Sequence, residues 1–507
     1  MYQITCPYCF KTFDDTDVKF RSEFVNLKEL DEFEDENLKD EALLFSPGRS
    51  KQYEEWWTFE EAPFATSEMD PASGEIQPYE RPIIDPASQL WQRLLMPVGV
   101  GEDYKSRYLI KDRDGMVAHI KLFATRLHSE IICSRRVCPH CHNPLPENFG
   151  KTPIITIPII GVTNSGKTVY MSSLLKNINS YVVNVGYTGA MSTGGVFSFR
   201  EMNKVEQNQR LPQPTEASLV QQPLCFVMNK PVAGNRLESY TVVLYDLAGE
   251  YFNRDSKQDI HVERKHRRPL LEHADGIILL IDPAQLTGAA EESSAVAALD
   301  NIQSVLLDGG KLGHRVKTPI AICVPKADNE QFLNVFGAEI QSYATQSVDY
   351  NTHSKKIPAE QYNELNDSLF ENMEMNISNG VLPQTFNYEM SRFFAFSAVS
   401  GDLIDDGVLT GRPFPQRIED PLLWLLAKNG YCDVEGNLHR DIKCPNCGSY
   451  WTRYEENTSP DKKKPFKKQT YTTFNHICKR CKCMFNADED GNINGEGRLK
   501  NSDDYTI

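Results

Sequence analysis

Between residues 151 and about 430 the chain alternates short apolar runs with longer stretches whose apolar positions recur every three or four residues. The runs are Ile154–Ile160, Cys225–Asn229, Tyr240–Tyr245, Gly276–Ile281, Pro319–Val324 and Arg392–Phe396. A strand that is apolar at successive positions is one covered on both faces, and strands alternating with amphipathic helices build an α/β domain. The pattern therefore predicts a mostly parallel sheet with helices on both faces, with small β modules flanking it. From Lys105 to Ile132 the spacing is mixed, with Tyr108, Leu109 and Ile110 followed by Val117, Ile120, Leu122 and Phe123, and it predicts a strand and then a helix. Residues 28–41 carry eight acidic and two basic side chains, and Pro/Glu/Asp-rich sequence continues to Pro86, which reads as solvated helix, loop or a partner-binding arm.

The 507 residues exceed what one compact module absorbs. We divide them into an N-terminal module (1–150), a central domain (151–430), a small C-terminal module (431–490) and a flexible tail (491–507). Hydrophobic residues at 40% and charged residues at 24% exclude collagen-like and wholly disordered readings. The net charge of −16 argues against a surface built as a whole for nucleic acid or anionic lipid. Apolar stretches fall far short of the ~20 residues of a membrane helix, and Met1-Tyr2-Gln3-Ile4-Thr5-Cys6 opens no secretory signal, so a cytoplasmic protein without membrane insertion is expected. In that reducing compartment, thirteen cysteines point to metal rather than to disulfides.

Gly161-Val162-Thr163-Asn164-Ser165-Gly166-Lys167-Thr168 fits the pattern G-x-x-x-x-G-K-[ST] between a predicted strand and the helical spacing that begins at Val169. Glycines let backbone N–H groups wrap a phosphate, and the helix N-terminus adds positive potential. Gly161, Asn164, Ser165, Gly166, Lys167, Thr168 and Val169 are the expected cradle. Lys167 would sit at the β/γ oxygens, and the Thr168 hydroxyl would reach Mg2+. A second element follows the run Tyr240–Tyr245 as Asp246-Leu247-Ala248-Gly249-Glu250. A carboxylate at the end of a neighbouring strand can hold Mg2+ through water, and the Gly249 N–H can touch a γ-phosphate.

With these two elements the chain resembles a Ras-like P-loop GTPase of the translation-factor-related class. Pro325-Lys326-Ala327-Asp328 looks like the [NT]-K-x-D element, and Phe396-Ser397-Ala398-Val399 looks like the S-A-x element. The resemblance implies that Asp328 pairs with guanine, that the Lys326 stem covers the base, and that the Ala398 N–H, beside Ser397, meets O6. GTP and GDP are then the ligands. Pro325 departs from the usual Asn or Thr, and Glu250 stands where the Ras pattern has a water-orienting Gln. Lys167, Thr215, Gly249 and Glu250 form the expected catalytic set. Thr215 is the switch I choice over Thr188 and Thr193, with Gly194-Gly195 as a hinge.

Four pairs have the form Cys-x-x-Cys: Cys6/Cys9, Cys138/Cys141, Cys444/Cys447 and Cys478/Cys481. Two such pairs around one Zn2+ make a closed, structural tetrahedral site. The last two pairs form a C-terminal ribbon, with Cys483 and His476 as further candidate ligands. The first two form an N-terminal ribbon split by a long insertion, although each half leaves room for another partner. From Arg440 to Cys483 there are 11 basic and 4 acidic residues with aromatics interleaved. A nucleic-acid surface is conceivable there, but an exposed loop over an aromatic core is the favoured reading. Fused ribbons and the D-x-x-G-E element together resemble the prokaryotic double-GTPase group. That resemblance implies a slowly hydrolysing GTP switch that works with another GTPase or an activator. The alternatives are a non-hydrolysing GTP-gated adaptor and a nucleic-acid-handling P-loop NTPase.

Overall fold

The computed structural model describes residues 2–21 apart from 9, 109–161 with short breaks, 165–191, 223–247 apart from 233–235, 271–283 apart from 272, 318–376 apart from 352, 391–399, 414–438, and shorter pieces of 67–84, 403–409 and 443–499. The acidic segment 28–41 lies outside the described residues.

The N-terminal module is built of short strands. β1 (Gln3–Thr5) and β2 (Thr12–Asp14) form a hairpin around the first cysteine pair. β3 (Lys19–Arg21) follows, then the hairpin of β4 (Ser67–Met69) and β5 (Ile76–Pro78), and β6 (Ile83–Ile84), which pairs with β3. β7 (Leu109–Lys111), β8 (Val117–Ala124) and β9 (Ser129–Cys133) form an antiparallel sheet, and β10 (Arg136–Val137) pairs with the other edge of β3. Residues 117–124 are thus a middle strand, not the helix expected there. Asp112 accepts the N–H groups of Asp114 and Met116 at 2.9 and 3.1 Å, and Gly115, at φ +86°, closes the turn that folds β8 back onto β7. The apolar spacing fits either period, and pairing on both edges decides it.

The central domain runs β11 (Ile154–Gly161), α1 (Lys167–Asn184), β12 (Thr188–Met191), β13 (Leu224–Val232), β14 (Arg236–Leu247), β15 (Ile277–Leu280), β16 (Ile320–Val324), α2 (Glu330–Thr345), β17 (Ile357–Pro358), α3 (Ala359–Asn376), β18 (Ser391–Ala395), β19 (Leu403–Ile404), β20 (Val408–Leu409) and α4 (Asp420–Lys428). Seven strands lie in the order β12-β13-β14-β11-β15-β16-β18. β14, β11, β15, β16 and β18 are mutually parallel, and β13 and β12 add an antiparallel edge. On one face α1 presents Tyr170, Leu174, Ile178 and Val182 at every fourth position, and α4 buries Trp424 beside them against Ile155, Ile157 and Ile159. On the other face α2 packs Phe332, Phe336, Ile340 and Ala344, and α3 packs Leu365, Leu369 and Met373, against Ile277, Leu279 and Ile322. This is the predicted α/β fold with helices on both faces.

β21 (Val434–Glu435) pairs with β17. The C-terminal module is a four-stranded antiparallel sheet of β22 (Thr452–Tyr454), β23 (His476–Cys478), β24 (Cys483–Ala487) and β25 (Ile493–Leu499). β25 lies in the 491–507 stretch expected as a flexible tail, and its pairing with β24 makes that part of the stretch an edge strand of the module instead. No helix among the described residues is long and apolar enough to cross a membrane.

Candidate functional site

Because β11, β14, β15, β16 and β18 run in one direction, their C-terminal ends share one edge, where open α/β sheets bind ligands. Gly161 ends β11 opposite Leu280 of β15. A β-carbon on Gly161 would come within 2.5 Å of Ser165 Oγ and 3.1 Å of the Leu280 carbonyl oxygen. Gly166 caps α1 at φ +80°, in the left-handed region that glycine enters without strain. Lys167 opens α1 and donates from Nζ to the Gly161 carbonyl at 2.7 Å, folding the loop over its own strand. Ser165 Oγ is buried without a hydrogen-bond partner among the described residues. A backbone cradle that tolerates no β-carbon, with a buried hydroxyl inside it and a lysine across it, fits a phosphate group. Thr168 and Val169 lie in the first turn of α1; Asn164 is outside the described residues.

Asp246 lies on β14 opposite Ile159, two positions before the end of β11, so its backbone reaches the same edge. Gly249, Glu250, Thr193, Thr215 and Gly194-Gly195 lie outside the described residues. Thr188 begins the edge strand β12, where its hydroxyl donates to the Asn229 carbonyl at 3.3 Å.

The two segments that the resemblance assigns to base recognition, Pro325–Asp328 and Phe396–Ala398, lie together. Ser397 is buried and donates from Oγ to Asp328 Oδ1 at 2.6 Å, while Asp328 itself is exposed. The Ala327 N–H donates to the Phe396 carbonyl at 3.1 Å, so the turn after β16 is bonded to the segment after β18. Ser173 of α1 donates to the Ala398 carbonyl at 2.9 Å, tying the phosphate-loop helix to the same segment. Phe396 stacks on Tyr170 of α1 with centroids 4.7 Å apart. The sequence reading missed Asp282, whose carboxylate accepts from Lys326 Nζ at 2.5 Å.

Cys444, Cys478 and Cys481 gather with their sulfur atoms within 4.8 Å of one another, and Cys444 and Cys481 are 3.6 Å apart. Four thiolates at about 2.3 Å from a tetrahedral Zn2+ would be separated by about 3.8 Å, so the three fit such a site. Cys447 lies outside the described residues. Cys483 is buried in the same cluster. Burial, assisted by the charge of Lys428, pushes His476 down to about 4, leaving a neutral imidazole. In the N-terminal module Cys6 and Cys138 are both fully buried, and each accepts an N–H from two residues on, Tyr8 and His140, at 3.4 Å. The two turns are drawn together by the β3–β10 pairing and by an edge contact between Phe13 and His140. Cys9 and Cys141 are outside the described residues. Not every cysteine belongs to a cluster: burial pushes the thiols of Cys225 and Cys432 up to about 12, and they are buried core side chains.

Residues 155–372 match the family described as Double-GTPase 2. No curated protein matches the chain. Among solved structures it is similar to a variant of Aquifex aeolicus Era bound to GDP.AlF4- (13% identity, 57% of this chain and 59% of that one, TM-score 0.26). It is similar also to the S. cerevisiae Ski7 GTPase-like domain bound to GTP (15% identity, 56% and 51%, TM-score 0.29) and to sup35 complexed with GDP (13% identity, 53% and 44%, TM-score 0.23). The chain spans roughly half of the length of these structures. The family match over 155–372 takes in the phosphate loop and the turn after β16, so this part of the chain is similar to a P-loop GTPase domain of the double-GTPase type.

Proposed function

We propose that the protein is a GTP-dependent switch whose nucleotide state governs a protein partner and whose own hydrolysis is slow. The observation that supports it most is the Ser397–Asp328 hydrogen bond at the edge shared with the phosphate loop. A carboxylate held in place by a hydroxyl can accept both the N1–H and the amino N–H of guanine, a pair of donors that adenine does not offer. The Ala398 N–H would meet the guanine O6. Lys167 would move from the Gly161 carbonyl to the β/γ oxygens, and Thr168 and Asp246 would hold Mg2+. When bound, the metal supplies neutralisation of the charge that builds on the phosphates during in-line attack by water. Gly249 would report the γ-phosphate through its N–H, and Thr215 would close over it. Glu250, an anion where a neutral amide orients water in faster enzymes, leaves hydrolysis slow until a partner, a second GTPase or an activator, completes the site.

In this reading residues 1–150, 151–430 and 431–490 are the working units of a cytoplasmic protein. Cys6, Cys9, Cys138 and Cys141 hold one structural zinc, and Cys444, Cys447, Cys478 and Cys481 hold another. The test is calorimetry of the metal-replete protein with GTP, GDP and ATP, together with a zinc count. Guanine nucleotides should bind and ATP should not. Asp328→Asn should shift the preference to xanthine nucleotides, because the amide donates to the new C2 carbonyl. Fast ATP turnover without GTP binding would reject the proposal, and bound GTP that never decays, alone or with partners, would leave only a non-hydrolysing adaptor.

A further inference from the structure

The turn after β16 carries an anomaly at Pro325, which is buried and has neither an N–H nor a polar side chain with which to anchor the turn. Lys326, directly after it, sits at φ +60°, a left-handed conformation that a side chain with a β-carbon adopts only where its surroundings hold it. The holding group comes from the neighbouring strand. Asp282 lies two residues beyond the end of β15 and is only 5% exposed. Its Oδ2 accepts from Lys326 Nζ at 2.5 Å, while the lysine side chain as a whole stays 41% exposed. The ammonium is fixed and the methylene stem remains open to a ligand.

The location of Asp282 gives this pair its meaning. β15 lies between β11 and β16, with Leu280 opposite Gly161 on one side and Cys323 on the other. Asp282 therefore follows a strand that lies between the strand of the phosphate loop and the strand of the Pro325–Asp328 turn, and it holds that turn through Lys326. A buried carboxylate is tolerated when a cation and hydrogen bonds compensate it, and a long side chain pinned at its tip loses the rotamer freedom that ligand binding would otherwise remove. Two residues further along the turn is Asp328, held by Ser397. A purine whose edge donates to Asp328 needs a surface along its ring face, and the pinned Lys326 stem offers one.

We propose that Asp282 is the positioning residue of the base pocket: by holding the Lys326 ammonium it sets the stem against the purine and takes over the anchoring that Pro325 cannot give. The proposal rests on the guanine reading above. It accounts for a turn that keeps its Lys and its Asp while lacking the polar residue before them.

The experiment measures the affinity and release rate of a fluorescent GDP analogue by stopped flow, with the full, zinc-replete chain in Mg2+. The proteins are wild type, Asp282→Ala, Asp282→Asn, Lys326→Ala and the Asp282→Ala/Lys326→Ala double variant, each with its melting temperature. Asp282→Ala should weaken binding about tenfold, chiefly through faster release. The double variant should bind no worse than Lys326→Ala, because both substitutions remove one coupled arrangement. Asp282→Asn keeps the shape and one acceptor oxygen; it should fall between wild type and Asp282→Ala, and it carries the test if the alanine variant does not fold. A purely structural role would lower the melting temperature and leave the release rates of the folded proteins alike, and it would overturn the proposal. So would penalties that multiply in the double variant. Failure of the wild type to bind GDP defeats the guanine reading itself, whereas normal wild-type binding with unchanged binding by the folded Asp282 variants defeats this role alone.

Discussion

Asp328 and Glu419 are both carboxylates near the edge where the parallel strands end, and their surroundings give them opposite properties. Asp328 is exposed, and the Ser397 hydroxyl holds its Oδ1. Glu419 is buried next to Asp420, whose two oxygens are taken by Arg417 Nε at 2.6 Å and the Tyr362 hydroxyl at 3.0 Å. Burial first, and the Asp420 charge second, push Glu419 up to about 8 from an ordinary 4.5, against the smaller pull of its own N–H and of Arg417. The native state therefore keeps a proton that the unfolded chain releases. With more protons bound to the native state, stability is fully present below about pH 4.5 and declines as pH rises toward 8. Urea midpoints measured from pH 5 to 9 should fall for the wild type, and the fall should be shallower for Glu419→Gln, which is neutral throughout. Parallel slopes would mean that Glu419 is already ionised in the folded protein.

At the scale of elements, the loop between β11 and α1 depends on two glycines for different reasons, and substitution separates them. A methyl at Gly161 would stand 2.5 Å from Ser165 Oγ, inside the cradle, and 3.1 Å from the Leu280 carbonyl oxygen, so Gly161→Ala should displace Ser165 and sharply weaken nucleotide binding. A methyl at Gly166 meets nothing within 4 Å but must accept φ +80°, so Gly166→Ala should lower stability by about 1 kcal/mol and weaken binding only in part. Titration of both variants with GDP, beside their urea midpoints, measures the two effects. The same contrast explains what was legible in the sequence. The six runs became strands because most of their side chains are buried in a sheet covered on both faces, with only a few polar groups such as Thr156, Thr241 and Arg392 buried among them. β12, with Thr188, Gly189, Ala190 and Met191, belongs to the edge and has no such run, so only its antiparallel pairing with β13 reveals it. Residues 117–124 carry a spacing that suits either helix or strand, and pairing with β7 and β9 on both edges decides between them. Lys167, Asp328 and Ser397 were legible because their elements are short motifs. Asp282 was not, because a lone Asp before Pro283 is an ordinary loop signal. Its available clue was an acidic residue directly after a buried strand, the same clue that singled out Asp246.

Across the whole molecule, the N-terminal module is joined to the central domain at the strand that carries Asp246. Tyr245, the residue before it, donates its hydroxyl to the Pro7 carbonyl at 2.5 Å in a buried contact. Burial, and then the nearby Cys225, Cys6 and Tyr8, push its phenol well above the ordinary range, so it is a neutral donor at any working pH. Phe10, at φ +57°, lies 6.0 Å from the Tyr245 ring and stacks on His273 at 5.5 Å. Pro7 lies within the turn of the first cysteine pair and Phe10 follows it, so the order of that turn and the packing against β14 depend on each other. Tyr245→Phe deletes the donor and should lower stability by about 1–2 kcal/mol, since a buried carbonyl loses its partner. If zinc on Cys6 is what fixes the turn, a strong chelator should destabilise the wild type more than the variant, because metal removal releases Pro7 and leaves little for the hydroxyl to hold. Urea midpoints of the two proteins with and without chelator close this cycle. A Tyr245→Phe penalty that stays the same size after zinc is stripped would show that the turn keeps its position without metal.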